Sequence, residues 1–204
     1  MTPGAVLRRR CDGTFEVDQW GLDPDIVSLF SPLLGLRWSV TVEGAARLPA
    51  TGAALLLHNR RFGLSEPFVL AAGIRSAIDR FVRPVGLPDV APVGPALRRL
   101  GGVLDRPDEV AGLLRAGQLV GVPLRRELRI GSRAGPCGRA SLQAALMAGA
   151  AVHPTAVIGR ESGRRWRLLV GEALPGVDGE DRNAVRECAE VARRAVQDLL
   201  GATG

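Results

Sequence analysis

Four side chains that can carry a charge or exchange a proton lie within nine residues in the first half of the chain. His58 supplies an imidazole, Arg60 and Arg61 supply guanidinium groups, and Glu66 supplies a carboxylate. Guanidinium groups bind phosphate and carboxylate oxygens through paired hydrogen bonds. In open α/β sheets, ligands bind at the carboxyl ends of the strands. These residue types therefore indicate a ligand site if the chain delivers them to such an edge.

The sequence around His58 predicts a strand that ends at this residue. Residues 53–57 are a continuous apolar run after Gly52, which is typical of a strand buried on both faces. Glu66 and Pro67 then open an apolar segment that predicts a helix, because proline is favoured in the first turn. We therefore expect His58 at the end of a strand and Glu66 at the N-terminus of the next helix.

Apolar strand-like and helix-like segments alternate along the rest of the chain. This alternation predicts an α/β architecture, with residues 1–22 as an irregular arm and residues 23–204 as one domain. The expected helices are 23–36, 68–78, 96–100, 107–116, 139–148 and 181–200. The expected strands are 39–43, 53–57, 81–85, 103–106, 119–122, 151–159 and 166–170.

The composition is that of a globular protein with an excess of positive charge. Hydrophobic residues make up 46% of the 204 residues and the net charge is +6, with every basic residue an arginine. This excess favours phosphate groups, acidic lipid headgroups or nucleic acid as partners. Tyrosine is absent and aromatic residues are 4%, so the stacking surfaces of single-strand binders are scarce. Nucleic-acid binding is therefore the third choice.

The cysteines and the apolar segments indicate where in the cell the protein is located. Cys11, Cys137 and Cys188 have no metal-ligand or paired spacing, and we expect reduced thiols in a cytoplasmic protein. Residues 26–36 are too short to span a bilayer and contain Pro32. Together with Arg37 and Trp38 they suit a bilayer interface; the alternative is a core helix with a packed tryptophan. We expect peripheral association with the inner, anionic face of the cell membrane.

Four sequence blocks occur in a characteristic order. They are Leu-Leu-Leu-His-Asn with Glu-Pro-Phe-Val-Leu, then Pro-Ala-Leu-Arg-Arg-Leu-Gly-Gly-Val-Leu-Asp-Arg, then Leu-Leu-Arg-Ala-Gly-Gln-Leu-Val-Gly-Val-Pro, and finally Ala-Gly-Ala-Ala-Val-His-Pro-Thr-Ala-Val-Ile-Gly. By this order the chain resembles the glycerolipid acyltransferase superfamily, which includes the 1-acylglycerol-3-phosphate acyltransferases. The resemblance implies a mixed, mostly parallel central sheet covered by helices. It also implies acyl transfer from acyl-CoA or acyl carrier protein to a lysophospholipid-like acceptor, with no metal or other cofactor.

The catalytic block departs from the pattern of that superfamily. The family's Asn-His-x4-Asp motif pairs an acid with a histidine, which takes a proton from the acceptor hydroxyl. Here the order is reversed to His58-Asn59, and the acid is Glu66, eight residues after His58. Alignment on Glu66 places Arg61 or Asn59 at the base position. The resemblance therefore makes His58 and Glu66 the candidate catalytic pair, whereas the structural alternatives are a hydrogen-bonded strand-end histidine and a carboxylate that complements a helix dipole.

The remaining blocks supply candidate substrate-binding residues. The middle block keeps Gly102 and Arg106, an arginine that faces phosphate in the family. The usual Phe-Pro-Glu-Gly block is replaced by residues 122–125, with Glu127 as a substitute acid. Arg125 and Arg126, together with Arg129 and Arg133, either grip phosphate or form a solvated basic loop. Arg61 completes the candidates, and we interpret His153 in the last block as a satisfied core histidine.

Two functions remain open from the sequence. One is an acyltransferase, which we expect to be weak or inactive because moving the imidazole from position 59 to 58 turns it to the other side of a strand. The other is a non-catalytic homologue that binds a phospholipid-like ligand or a protein partner.

Overall fold

The computed structural model of the protein describes residues 3–60, 65–124 and 137–202. Its helices are α1 (Pro3–Cys11), α2 (Pro24–Arg37), α3 (Ser65–Ile78), α4 (Val93–Arg99), α5 (Pro107–Arg115), α6 (Arg139–Met147) and α7 (Arg182–Gly201). Its strands are β1 (Ser39–Glu43), β2 (Ala54–His58), β3 (Val82–Pro84), β4 (Leu119–Pro123), β5 (Ala151–Gly159) and β6 (Arg165–Val170).

The described strands form one mixed sheet in the order β1-β6-β5-β2-β4-β3. Every neighbouring pair is parallel except β5 and β6, which are antiparallel. The predicted fold class, an α/β domain with a mixed, mostly parallel sheet, is confirmed. β2 lies inside the sheet between β4 and β5, and His58 at its end is paired with Pro123 on one side and Thr155 on the other.

Alternate side chains of β2 enter two separate apolar cores. Leu55 and Leu57 pack into the core formed with α5, α6 and α7. Ala54 and Leu56 pack into the core beneath α3. All four are fully buried, and burying one leucine side chain contributes about 1.5–3 kcal/mol. Because both faces are covered, β2 is an unbroken apolar run.

Gly73 allows α3 to lie close to the sheet. A Cβ at this position would collide with the side chain of Leu168 and would come within 2.8 Å of Val40 Cγ1. Any larger residue would therefore push α3 away from β1 and β6. The close approach fixes the helix whose first turn contains Glu66.

Local capping explains where α2 and α7 begin. Asp23 accepts a hydrogen bond from the backbone N–H of Ile26 at 3.0 Å, and Pro24 occupies the first turn of α2. Asp181 caps α7 in a similar way through the N–H of Asn183. No helix among the described residues has the length and apolar content needed to cross a membrane.

Two local predictions were wrong. The arm of residues 1–22 contains the helix α1, which is held to the start of α2 by ion pairs of Arg9 with Asp25 and of Arg10 with Asp23. The Arg-rich segment has no apolar periodicity, so its helix depends on these tertiary contacts. The predicted strand at 103–106 is a single bridge between Val103 and Val85.

Candidate functional site

His58 is a buried residue at the carboxyl end of β2. It is 1% exposed, and its Nδ1 lies 2.9 Å from the carbonyl oxygen of Asn59. A carbonyl oxygen can only accept, so the proton is on Nδ1 and the lone pair is on Nε2. Nε2 is buried and has no hydrogen-bond partner among the described residues.

The environment keeps the imidazole uncharged. The pKa of His58 is lowered to about 4, chiefly by burial; the hydrogen bond to Asn59 opposes this, and the positive charge of Arg60 adds a smaller lowering. His58 is therefore neutral near pH 7 and has a free lone pair. That state is the one a general base requires, but its burial keeps it out of contact with solvent.

Asn59 is committed to the sheet. Its Nδ2 donates to the carbonyl oxygen of Val157 at 2.9 Å, and its Oδ1 accepts from the N–H of Val157 at 2.7 Å. The side chain is thereby paired with β5 beyond the last backbone pair of β2. Because both ends of its amide are already hydrogen-bonded, Asn59 is not available to bind a ligand or take part in catalysis.

Glu66 lies in the first turn of α3 and is 2% exposed. Ser65 beside it donates a hydrogen bond to Glu161 at 2.7 Å, which ties the start of α3 to the β5–β6 turn. His58 follows the alternation of Ala54 and Leu56, so its side chain belongs to the face that α3 covers. The candidate imidazole and carboxylate are thus on the same face of the sheet, and the expectation that position 58 turns the imidazole away from the acid was wrong.

The predicted substrate-binding residues that the structure describes have different surroundings. Gly102 is buried against the end of α4, where a Cβ would lie 2.9 Å from the carbonyl oxygen of Leu97. Arg106 precedes α5 with an exposed side chain, beyond the bridge that ends β3. Arg106 therefore remains accessible to an anion, whereas glycine at 102 is explained by packing.

Several predicted residues lie outside the described residues. They are Arg61, Arg125, Arg126, Glu127, Arg129 and Arg133. Their roles stay predictions. His153 is buried with its Nδ1 3.1 Å from the carbonyl oxygen of Gly171, as the interpretation of a satisfied core histidine predicts.

An apolar cavity of about 530 Å³ lies between α2, α3 and β3. The cavity could not be predicted from the sequence because its lining comes from segments far apart in the chain. The one available signal was the apolar character of α2 on more than one face. From α2 the lining residues are Val27, Phe30, Ser31, Leu34 and Gly35, and from α3 they are Phe68, Ala71, Ala72, Arg75 and Ser76. Trp38, Val40, Phe81, Pro84 and Leu100 complete the wall.

Few polar groups face this cavity. Arg75 is paired with Asp79 at 3.2 Å, and the two side chains are 45% and 90% exposed. Trp38 has a buried indole Nε1 with no hydrogen-bond partner among the described residues. Ser31 donates to the carbonyl oxygen of Val27 at 2.8 Å and is satisfied. The cavity can accept a hydrocarbon chain and has a cation at its margin.

No protein-family model matches the sequence, and no curated protein matches it. The structure is similar to the crystal structure of the 1-acyl-sn-glycerophosphate (LPA) acyltransferase PlsC from Thermotoga maritima, with a TM-score of 0.61 and 18% sequence identity. The match covers 86% of this chain and 80% of that one. The protein therefore has the fold of this acyltransferase.

Proposed function

We propose that the protein binds a single-chain lipid of the fatty acyl or lysophospholipid type and transfers acyl groups weakly or not at all. The apolar cavity of about 530 Å³ carries this proposal. Its size falls within the range of about 300–1,000 Å³ that is typical of small-molecule sites. The structural neighbour is an LPA acyltransferase, and a related lipid is the ligand class that its fold suggests.

The residues of the catalytic block support weak transfer. A general base must come within about 2.6–3.2 Å of the hydroxyl that it deprotonates. His58 is 1% exposed, and Asn59 is bonded to Val157 through both ends of its amide. A guanidinium at position 61 stays protonated and cannot act as a base.

Acyl transfer with His58 as base is the second candidate function. The neutral imidazole with an unbonded Nε2 supports it, as does the placement of His58 and Glu66 on one face of the sheet. The donor would be the thioester of acyl-CoA or acyl carrier protein. Arg106, and Arg61, Arg125 and Arg126 by resemblance, would bind the acceptor's phosphate.

Peripheral association with an anionic membrane on the cytoplasmic side is part of the proposal. Leu29, Leu33 and Leu36 on α2 are 38%, 55% and 69% exposed. Their spacing places them on one stripe of the helix. Such a stripe binds the boundary between headgroups and acyl chains, and the net charge of +6 favours acidic headgroups.

Ligand binding is tested by filling the cavity. Ala72 lines the cavity, whereas Ala77 is exposed on the same helix, so Ala72→Phe and Ala77→Phe add the same side chain inside and outside it. Binding of a fluorescent fatty acid should weaken at least tenfold in Ala72→Phe and stay within twofold of wild type in Ala77→Phe. Equal binding by both variants would refute the cavity as the site.

Acyl transfer is tested separately by thioester consumption with oleoyl-CoA and oleoyl lysophosphatidate, with the Thermotoga maritima enzyme as positive control. We expect little turnover, and little change in His58→Ala. Robust wild-type turnover that His58→Ala abolishes would establish the second candidate function instead. The binding result is independent of this outcome.

A further inference from the structure

We propose that Arg75 binds the anionic headgroup of the lipid, so that the cavity selects fatty acids and lysophosphatidates over neutral lipids of the same chain length. This inference rests on the proposed function. It adds the charge of the ligand and the direction in which the ligand lies.

Arg75 is the only charged residue among the described residues that line the cavity. A single cation at the margin of an apolar cavity complements an amphiphile with one anionic end. Guanidinium binds carboxylate and phosphate through two parallel hydrogen bonds, so either headgroup fits. Ser76 lies beside Arg75 in the lining and can add a hydroxyl donor.

The existing partner of Arg75 is easily displaced. Its ion pair with Asp79 spans 3.2 Å between side chains that are 45% and 90% exposed. Exposed ion pairs of this kind contribute little to stability, because solvent screens both charges. An anion that also buries its chain in the cavity can therefore take Arg75 from Asp79.

The position of Arg75 sets the orientation of the ligand. Glu66 lies in the first turn of α3 and Arg75 in the last part of the same helix, which separates their backbones by about 14 Å along the helix axis. A headgroup on Arg75 is thus held away from the end of α3 that contains Glu66. This arrangement suits a lipid that is bound without transfer.

The test compares ligands below their critical micelle concentrations. Oleate and oleoyl lysophosphatidate carry the anion, monoolein carries the same chain without charge, and acetate and inorganic phosphate carry charge without a chain. Wild type should bind both anionic lipids about tenfold more tightly than monoolein, as expected for one charge-assisted contact. Arg75→Gln should lose this preference, while the exposed Arg115→Gln control keeps it.

A second variant changes binding in the opposite direction. Asp79→Asn removes the competing carboxylate, so oleate binding should strengthen up to about twofold while monoolein binding stays unchanged. Preserved anion preference in Arg75→Gln, or no preference in wild type, would overturn the inference. Competition by acetate or phosphate at concentrations near those of the lipids would also overturn it, since the site would then need no chain.

These outcomes separate the inference from the function on which it rests. If monoolein and oleate bind equally and Ala72→Phe weakens both, the cavity binds lipid and only the role of Arg75 is wrong. If none of the lipids binds wild type, the proposed function itself fails.

Discussion

The side chain of Asn59 replaces a backbone segment in the pairing of β2 with β5. Its amide donates to the carbonyl of Val157 at 2.9 Å and accepts from the N–H of the same residue at 2.7 Å. Both residues are buried. The contact holds the chain at the point where it leaves the sheet after His58, and it explains an asparagine at this position without catalysis.

Asn59→Leu should destabilise the protein by about 2–4 kcal/mol. The variant loses two hydrogen bonds and leaves the buried N–H and C=O of Val157 without partners. Each unsatisfied buried group costs about 1–3 kcal/mol. Urea denaturation measures the change in the free energy of unfolding. The exposed Asn183→Leu should change it by less than about 0.5 kcal/mol, and an equally small effect of Asn59→Leu would contradict the structural role.

His58 should make stability depend on pH between about 6.5 and 4. Its folded-state pKa of about 4 lies below the ordinary histidine value of 6.5, so the unfolded chain binds the extra proton first as the pH falls. The stabilisation from His58 is fully present above pH 6.5 and is lost toward pH 4, by on the order of 3 kcal/mol.

The measurement is the free energy of unfolding at several pH values in wild type and His58→Leu. Subtracting the two curves isolates the contribution of His58, and His153→Leu is the control for the other buried histidine. A His58→Leu curve parallel to that of wild type over this range would rule out the lowered pKa.

The exposed stripe of α2 should control vesicle binding. Leu33→Asp should reduce co-sedimentation with anionic vesicles several-fold, because it places a charge in an apolar interface and repels acidic headgroups. Val191 on α7 is also an exposed apolar residue, 47% exposed, and Val191→Asp is the matched control. Added salt should weaken binding; equal binding to neutral and anionic vesicles at all salt concentrations would remove the electrostatic component.

The ion pair between buried Arg83 and partly exposed Asp18 should respond unequally to the loss of either partner. Arg83 is fully buried on β3, and burial lowers its pKa. Its Nη1 lies 2.6 Å from Asp18, while Nε and Nη2 have no hydrogen-bond partner among the described residues. Arg83→Met should therefore be nearly neutral, within about 1 kcal/mol, because it removes a poorly satisfied buried charge.

Asp18→Asn should cost about 3 kcal/mol or more in the same measurement. The amide oxygen can still accept from the N–H groups of Trp20 and Leu22, as Asp18 does at 2.9 and 2.8 Å, so the turn survives while Arg83 is left unpaired. A larger loss in Arg83→Met than in Asp18→Asn would show that the pair itself stabilises the fold.

The sequence predicted the elements whose pattern is local. β2 was predicted to within one residue because a short continuous apolar run is typical of a strand buried on both faces. α7 was predicted equally well because its apolar residues recur at helical spacing. The helix α1 was missed because its residues have no such spacing and it is held by the ion pairs of Arg9 with Asp25 and of Arg10 with Asp23. Local patterns therefore predicted the layers but not the contacts between distant segments.

The candidate site was predictable only in part for the same reason. His58 and Glu66 could be placed at a strand end and a helix start. The hydrogen bonds between Asn59 and Val157 join residues 98 positions apart, and no local sequence pattern predicts such a contact. The cavity likewise requires α2, α3 and Leu100 to meet, and Arg75 becomes notable only once its neighbours are known.

The position of β1 in the sheet has a consequence for biosynthesis. β1 pairs only with β6 among the described strands, and the hydrogen bond from Arg37 just before β1 reaches Gly163 across 126 residues. At about 5–20 residues per second, a ribosome needs on the order of 6–25 s to make the partner of β1. During that interval the backbone of β1 has no strand to pair with and is open to other chains, so ribosome-bound chains that end before β6 should bind a chaperone holdase more strongly than chains that include it.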